Sequence, residues 1–204
     1  MPFYTSNYLS DCFVYYTIPE AIDIIIDAMH WPTMAFDYET TGIKPFREGH
    51  KIFSVSLSNG LFSHAFPYFN DKKFRKAWDD LLQSDVVKIC HNAKYEALWS
   101  KVRGGYNNTE LPEWPKNILH DTMLNAHVID NRKKVGLKYL AYVKFGIAGY
   151  DDEIDQYLEP DKKEKELYGA NAINRIEKAP LDKLLLYNAM DSLLTYKLWG
   201  IQRS

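Results

Sequence analysis

The sequence predicts a mixed α/β fold in which a five-stranded sheet is flanked by helices. Two strand signals joined by a turn come early, strand-then-helix steps follow, and a long helical pattern comes last. Strands joined by a hairpin pair antiparallel, whereas strands separated by a helix usually pair parallel. We therefore expect an antiparallel meander of three strands followed by parallel strands.

The first half of the chain supplies the meander and two helices. Thr17 to Glu20 matches a capping box with Pro19 in the first turn, so we expect a helix through Met29, ahead of the first strand. Apolar or alternating runs predict strands at 33–38, 52–57 and 61–66. Asn59-Gly60 predicts a tight hairpin turn between the last two strands. A helical pattern over 74–82 ends this half.

The second half alternates strands with helices. Strands are predicted at 86–90 and 118–120, and helices at 93–102, 136–145 and 181–199. Asp121 is expected to cap a further helix that ends at Ile129. Between about 151 and 178 the composition turns charged, with a Lys-Lys-Glu-Lys-Glu run from Lys162. This stretch is predicted to be a solvated insertion or mobile flap within a single domain over 1–204.

The composition excludes several classes of protein. The 204 residues, 46% of them apolar, suffice for one large domain and do not fit disorder, collagen or a coiled coil. Cys12 and Cys90 have neither disulfide nor zinc spacing, which indicates a reducing, cytoplasmic setting. No apolar run reaches the roughly 20 residues of a membrane span. The net charge of -2 argues against bulk electrostatic binding of nucleic acid, but not against binding through acidic residues and metal ions.

Two carboxylates stand two residues apart at the end of the first predicted strand. The side chains of Asp37 and Glu39 are expected to leave the same face of this strand. Like charges this close are costly unless a cation neutralises them, and Mg²⁺ or Mn²⁺ prefers such oxygen ligands. The alternative is that Asp37 is a strand-end cap and Glu39 a solvated loop residue.

Two further polar groups stand out. His91 to Glu96 follows a buried strand and enters a helix, a position suited to chemistry in α/β sheets, although turn, cap and surface roles explain it too. Tyr187 and Asp191 are spaced to share one face of the last helix. The alternative is that Tyr187 is a core tyrosine and Asp191 a capping or ion-paired aspartate.

Taken in this order, the three groups resemble the motifs of the DEDDy 3′-5′ exonucleases of the ribonuclease H-like superfamily. The first motif is Phe36 to Gly42, the second His91 to Glu96 and the third Tyr187 to Asp191. The chain most resembles the proofreading domain of family A (polymerase I-like) DNA polymerases, including those of bacteriophages. His120 to Leu124 resembles the stretch after the second motif, so that the likeness covers nearly the whole chain.

The resemblance implies a two-metal mechanism with two divalent cations, Mg²⁺ or Mn²⁺. Asp37 would bridge both ions, and Glu39 and Asp191 would complete the site of the ion on the nucleophile side. Tyr187 would orient the attacking water. Glu96 stands where the family has aspartate, as the carboxylate that serves the second ion mostly through water.

The resemblance also implies substrate contacts. Thr40 and Ile43 would contact the terminal nucleotide, with Ile43 as an apolar wedge under the 3′ base or, alternatively, a hydrophobic residue at a loop edge. Asn92 matches a substrate-contacting amide, and Lys94 would counter a phosphate.

Glu96 opens two alternatives. The extra methylene changes the reach of the carboxylate but not its charge, so activity is expected to persist; a weak or dead nuclease kept as a DNA-binding module is the competing reading. Asp121 could compensate as a metal ligand, but a helix-cap role is favoured.

The expected function is hydrolysis of single-stranded or frayed DNA from its 3′ end, with release of nucleoside 5′-monophosphates, in proofreading, replication or repair. A ribonuclease D-like enzyme acting on RNA is the alternative. A DNA polymerase is expected as a partner. It would act in cis if the chain is a fragment of a polymerase, and in trans if the chain is a free-standing, phage-type nuclease; the sequence fits both. Two bound divalent cations would change the formal charge from -2 to about +2, which suits a polyanionic substrate.

Overall fold

A mixed sheet of six strands forms the centre of the structure, a computed structural model that describes residues 8–104 and 112–203. The strands are β1 (Cys12–Val14), β2 (Thr33–Thr40), β3 (Ile52–Ser58), β4 (Ser63–Pro67), β5 (Val87–Cys90) and β6 (Ile118–Asp121). Their order across the sheet is β1-β4-β3-β2-β5-β6. The β2-β3-β4 meander is antiparallel, and β5 and β6 add to β2 in parallel, which confirms the predicted mixed sheet.

Helices cover both faces of this sheet. Those of the described residues are α1 (Ile18–Ala28), α2 (Lys72–Gln83), α3 (Ala93–Arg103), α4 (Thr122–Ile129), α5 (Leu137–Phe145), α6 (Asp155–Leu158), α7 (Lys162–Tyr168) and α8 (Leu181–Gln202). Helices α1 and α2 pack together over one face, and α8 lies across the other, in contact with β1 to β5. None of these helices is both long and apolar enough to cross a membrane.

The alternation of β2 divides its side chains between the two faces. Met34, Phe36 and Tyr38 enter the main apolar core, where Phe36 and Tyr38 pack edge-on against Trp78 of α2. Ala35 packs on the opposite face against α8. Asp37 and Glu39 continue the set that begins with Ala35, so that the strand directs both carboxylates toward α8.

The prediction of five strands is one short. Strand β1, which pairs in parallel with β4 at the sheet edge, has only three residues and precedes the first helix. Three half-exposed residues are too few to show a period of two, and this explains why the sequence pattern missed the strand.

Of two local predictions, one is confirmed and one is wrong in detail. Asn59-Gly60 begins the predicted tight hairpin turn: the backbone N–H of Asn59 donates to the Phe62 carbonyl at 3.2 Å, and the Asn59 side-chain oxygen accepts hydrogen bonds from the backbone N–H groups of Leu61 and Phe62, both at 3.0 Å. The Thr17 hydroxyl donates to the Glu20 carboxylate at 2.5 Å, and no side-chain bond caps the backbone of α1.

Segment 151–178, predicted to be a solvated insertion or flap, contains α6, α7 and two short 3-10 turns, Gly169–Asn171 and Ile176–Lys178. Asn174 ties it to the end of β2, because its backbone N–H donates to the Thr41 carbonyl and its side-chain amide to the Thr40 carbonyl, both at 2.9 Å. The segment therefore lies against the strand that carries Asp37 and Glu39.

The loop between β3 and β4 gives a matched pair of glycine substitutions. Gly60 has a φ of +84°, and a Cβ there would lie 2.4 Å from the ring of Tyr196, whereas a Cβ at Gly200 of α8 would meet nothing within 4 Å. We expect Gly60→Ala to lower the free energy of unfolding by about 2–4 kcal/mol, because strain and overpacking add. Gly200→Ala should raise it by up to about 1 kcal/mol. Urea unfolding measures both, and equal midpoints for the two variants would contradict the placement of this loop.

Candidate active site

Three carboxylates from two distant parts of the chain meet on the α8 face of the sheet. Asp37 and Glu39 leave β2, Asp191 leaves α8, and one oxygen of each lies within 4.8 Å of the other two. Asp191 is buried, and the other two side chains are half-buried. The pairing of β2 with β3 shifts register between Glu39 and Thr40, and such irregularities often re-aim side chains next to active sites. The three residues form a triplet that the motifs only suggested.

Burial and mutual repulsion disfavour negative charge in this triplet. Burial, followed by the charge of Asp191, raises the pKa of Asp37 well above its usual value, although a hydrogen bond from Asn188 opposes this. Burial and the charges of Asp37 and Asp191 likewise raise the pKa of Glu39. Burial raises the pKa of Asp191 to about 6, against hydrogen bonds from two tyrosines. Clustered carboxylate oxygens that repel one another in this way fit a divalent cation, which would neutralise them.

Hydrogen bonds hold two of the three carboxylates in place. The side-chain amide of Asn188 donates to Asp37 Oδ2 at 2.9 Å, and its own oxygen accepts from the Ser54 hydroxyl, also at 2.9 Å. The Tyr150 hydroxyl donates to Asp191 Oδ1 at 2.5 Å. Sequence reasoning missed both roles. Asn188 was detectable as a polar residue inside the third motif, whereas nothing distinguishes Tyr150 among the 15 tyrosines.

Glu96 lies beside the triplet but outside it. It is buried on α3, and its Oε2 accepts a hydrogen bond from the backbone N–H of Tyr38 at 3.2 Å. Burial, and then the charges of Asp37 and Glu39, raise the pKa of Glu96. The Glu96 carboxylate is thus near enough to interact with the triplet, and it is bonded to the backbone of β2 at the residue between Asp37 and Glu39.

Tyr187 lies one helical turn before Asp191 on α8. Its ring stacks on that of Tyr150, with centroids 5.7 Å apart and an interplanar angle of 21°. The Lys138 ammonium lies 5.5 Å from the centre of the Tyr187 ring and lowers the pKa values of Glu39 and Asp191. Lys138 is a third residue near the site that sequence reasoning missed, because a single lysine in an amphipathic helix carries no signal.

A pocket of about 450 Å³ opens next to Glu39. Its wall is formed by Glu39, Thr40, Gly42, Ile43, Tyr95, Leu158, Glu159, Pro160, Lys165, Gly169, Ala170, Ala172 and Asn174. The Thr40 hydroxyl bonds to the Tyr95 hydroxyl at 2.5 Å, while the Ile43 side chain is 60% exposed. The structure therefore brings Thr40 and Ile43 to one pocket and completes its wall with segment 151–178.

Asn92 and Lys94 lie apart from this wall. Asn92 is the N-cap residue of α3, in the left-handed region with a φ of 78°, and its side chain makes no capping bond. Lys94 is exposed on the first turn of α3. These two residues flank the site at the start of α3 and do not line the pocket.

Asp121 has the predicted cap role. Its Oδ1 accepts from the backbone N–H of Met123 at 2.9 Å in α4, and its Oδ2 accepts from that of Ala93 at 2.8 Å in α3. The N–H groups of Asn92 and Leu124 also bond to Oδ1. Four backbone donors bond to this carboxylate, so it joins two helix starts, and the cluster of carboxylates among the described residues does not include it.

The cation-free protein should lose stability as pH rises from about 4 to above 6. The triplet carboxyl groups have raised pKa values in the folded state, so the folded protein retains protons that the unfolded chain releases near pH 4. Their stabilising contribution is complete below about pH 4 and disappears through the folded pKa values. Thermal unfolding in a chelator between pH 5 and 8 measures this, and added Mg²⁺ should stabilise more at pH 8 than at pH 5.

Asp37→Asn is the matched variant for that measurement. It retains the size of the side chain and removes one charge, so the chelated variant should melt about 2–6 °C above the wild type at pH 8 and respond less to Mg²⁺. The same melting temperature and the same Mg²⁺ response in both proteins would show that the triplet is neither strained nor a cation site.

Solved structures of low sequence identity share this fold. Brucella melitensis NrnC with bound Mg²⁺ is 14% identical, with a TM-score of 0.62 over 94% of this chain and 79% of that one. The catalytic core of RRP6 from Trypanosoma brucei is 11% identical, with a TM-score of 0.64 over 94% and 46% of the two chains. Trypanosoma brucei RNase D in complex with GMP is 16% identical, with a TM-score of 0.60 over 96% and 58%.

The sequence itself matches at the level of the family. No curated protein has a significantly similar sequence. The family model of the exonuclease domain of A-type DNA polymerases, described as a 3′-5′ exonuclease, matches residues 15–202 and so includes all three motifs. The protein therefore belongs to this 3′-5′ exonuclease family.

Proposed function

We propose that the protein removes nucleoside 5′-monophosphates from the 3′ end of single-stranded or frayed DNA in a reaction that depends on divalent cations. The observation that carries this proposal is that Glu39, one of the three clustered carboxylates, also lines a pocket of about 450 Å³. The family match supports exonuclease chemistry and, through its polymerase members, a DNA substrate. Proofreading, with a polymerase in cis or in trans, and a cytoplasmic location belong to the same proposal.

The triplet is proposed to hold the cations. Two Mg²⁺ or Mn²⁺ ions would lower the pKa of the attacking water and stabilise negative charge on the leaving 3′ oxygen. Asp37 would serve both ions, while Glu39 and Asp191 would complete one site and Glu96 would support the other. The Mg²⁺ in the similar NrnC structure is consistent with this assignment.

Tyr187 is proposed to orient the water that attacks the phosphorus. Its place one turn from Asp191 puts its hydroxyl on the face of α8 that the carboxylates share. Burial, and then the charge of Asp191, raise the pKa of Tyr187 well above its usual value, so the phenol keeps its proton and acts as a hydrogen-bonding group, not as a base. No protein side chain then has to accept the proton from water as a tuned general base.

The pocket is proposed to bind the terminal nucleotide. Thr40 and Ile43 line one wall, and the exposed Ile43 side chain can pack against the last base. Segment 151–178 supplies the opposite wall with Leu158 and Lys165, which supports cleavage at an end over cleavage within a strand. Asn92 and Lys94, outside the pocket, would contact the chain of nucleotides further from the 3′ end.

RNA is the second candidate substrate. Among the similar structures, NrnC is bound to pGG and the Trypanosoma RNase D to GMP, with TM-scores of 0.58 and 0.60. A pocket of this kind distinguishes RNA from DNA by contacts to the 2′-hydroxyl. The Thr40 and Tyr95 hydroxyls are among the polar groups of the pocket wall that could make such contacts.

Removal of Asp37 should abolish cleavage. We expect Asp37→Ala to lower the rate at least 10³-fold with Mg²⁺, because the variant loses the carboxylate proposed to serve both cations. The assay uses 5′-labelled DNA and RNA oligonucleotides of the same sequence and scores release of single nucleotides. Lys94→Ala is the control variant, since an exposed phosphate contact should raise KM and leave kcat nearly unchanged.

The outcomes of this assay separate the candidates. Faster degradation of DNA supports the proposal, and faster degradation of RNA supports the ribonuclease D-like alternative. Persistent activity of Asp37→Ala would overturn the assignment of the site.

Substitutions at Glu96 distinguish an active nuclease from a weakened one. Glu96→Gln retains the size of the side chain and can still accept the bond from Tyr38 N–H, so we expect a rate loss of about 100-fold from the missing charge alone. Glu96→Asp should stay within about tenfold of the wild type. Initial rates at saturating Mg²⁺ measure both. A silent wild type that Glu96→Asp activates would show instead that the domain has decayed into a binding module.

A further inference from the structure

Tyr150 contacts two residues of the proposed machinery although it lies outside all three motifs. Its hydroxyl donates to Asp191 Oδ1 at 2.5 Å, and its ring stacks on the ring of Tyr187 at 5.7 Å. One side chain therefore bonds to a triplet carboxylate and packs on the phenol beside it.

The chain around Tyr150 holds its ring in place. Gly149, with a φ of +74°, begins a turn in which the Asp152 N–H donates to the Gly149 carbonyl at 3.3 Å. The Lys138 ammonium pairs with the Asp151 carboxylate at 2.7 Å and lies 5.5 Å from the centre of the Tyr187 ring. The turn is thus tied to α5 by the same lysine that contacts Tyr187.

Packing alone does not account for the hydroxyl group. The ring of Tyr150 lies between two apolar clusters, one with Met190 and Leu194 and the other with Ile154 and Leu184, where a phenylalanine ring would pack equally well. A phenol in such surroundings costs free energy unless it is hydrogen-bonded, and its partner here is a carboxylate, which makes the bond stronger than one between neutral groups.

The Tyr150 hydroxyl is the donor in this bond, because a carboxylate oxygen can only accept. Tyr150 bonds to Oδ1, and because each carboxylate oxygen has two acceptor positions, Asp191 retains the capacity to bind a cation.

We propose that Tyr150 is a positioning residue, whose hydroxyl orients the Asp191 carboxylate toward Asp37 and Glu39 and whose ring orients Tyr187. Its effect on turnover rests on the proposed function. Its effect on cation binding does not, because that binding needs no nucleic acid. Outer partners of metal-binding carboxylates contribute roughly 10- to 100-fold to metal affinity or activity in other proteins.

Tyr150→Phe tests the hydroxyl. The variant retains the ring, so its melting temperature should stay within about 2 °C of the wild type, while the Kd for Mn²⁺ alone, measured by calorimetry, should rise roughly 10-fold or more. With an oligonucleotide substrate, kcat should fall by a similar factor and KM should change less than about twofold. Tyr142→Phe, at an exposed position of α5, is the matched control and should change none of these values.

Tyr150→Leu tests the ring. It should lower kcat further than Tyr150→Phe, because Tyr187 loses its stacking partner. Combined with Tyr187→Phe, it should cost less than the product of the two single effects, since both changes act on one water-orienting group.

Two results would overturn the inference. One is a Tyr150→Phe protein that binds Mn²⁺ as tightly as the wild type and turns over substrate equally fast, and the other is full multiplicativity of Tyr150→Leu with Tyr187→Phe. If the wild type degrades no nucleic acid while Tyr150→Phe still binds Mn²⁺ more weakly, the proposed function fails and the positioning of Asp191 stands.

Discussion

The packing of α8 across the sheet is the interaction on which the site depends. It brings Asp191 within 4.8 Å of carboxylate oxygens on β2, a strand more than a hundred residues earlier in the chain. This contact works against electrostatics, because burial and like charge both raise the pKa values of the carboxyl groups. The apolar contacts of α8 with five strands supply the opposing stabilisation, so the protein holds an arrangement that the acids alone would not adopt.

Polar side chains pair with one another where this helix meets the sheet. Ser54 bonds to the Asn188 side chain and Ser56 to the Asn188 carbonyl, while Ser63 bonds to Ser192, all between 2.7 and 2.9 Å. Small hydroxyl side chains on β3 and β4 allow close contact and supply hydrogen-bond partners for Asn188 and Ser192 of α8. Asn188 in turn donates a hydrogen bond to Asp37, so the packing of the helix helps to fix the geometry of the triplet.

Hydrogen bonds attach the remaining parts of the site to this frame. Segment 151–178 bonds through Asn174 to the end of β2 and closes the pocket, and Tyr150, just before it, reaches Asp191. Glu96 enters from α3 and ends on the backbone of Tyr38. The longer side chain of glutamate is thus accommodated by its bond to the backbone of Tyr38, between Asp37 and Glu39. This is the physical reason for which we expect activity to persist.

The sequence by itself determined most of the regular elements, the family and the identity of the acids, because these depend on periodicity and on short local motifs. The alternation of β2 was enough to predict that Asp37 and Glu39 share a face, and the backbone donors next to Asp121 made its cap role predictable. Only the tertiary structure decided the strand β1, the roles of Tyr150 and Lys138, and the wall opposite Ile43. Those features arise from contacts between residues far apart in the chain, which leave no periodic or local trace in the sequence.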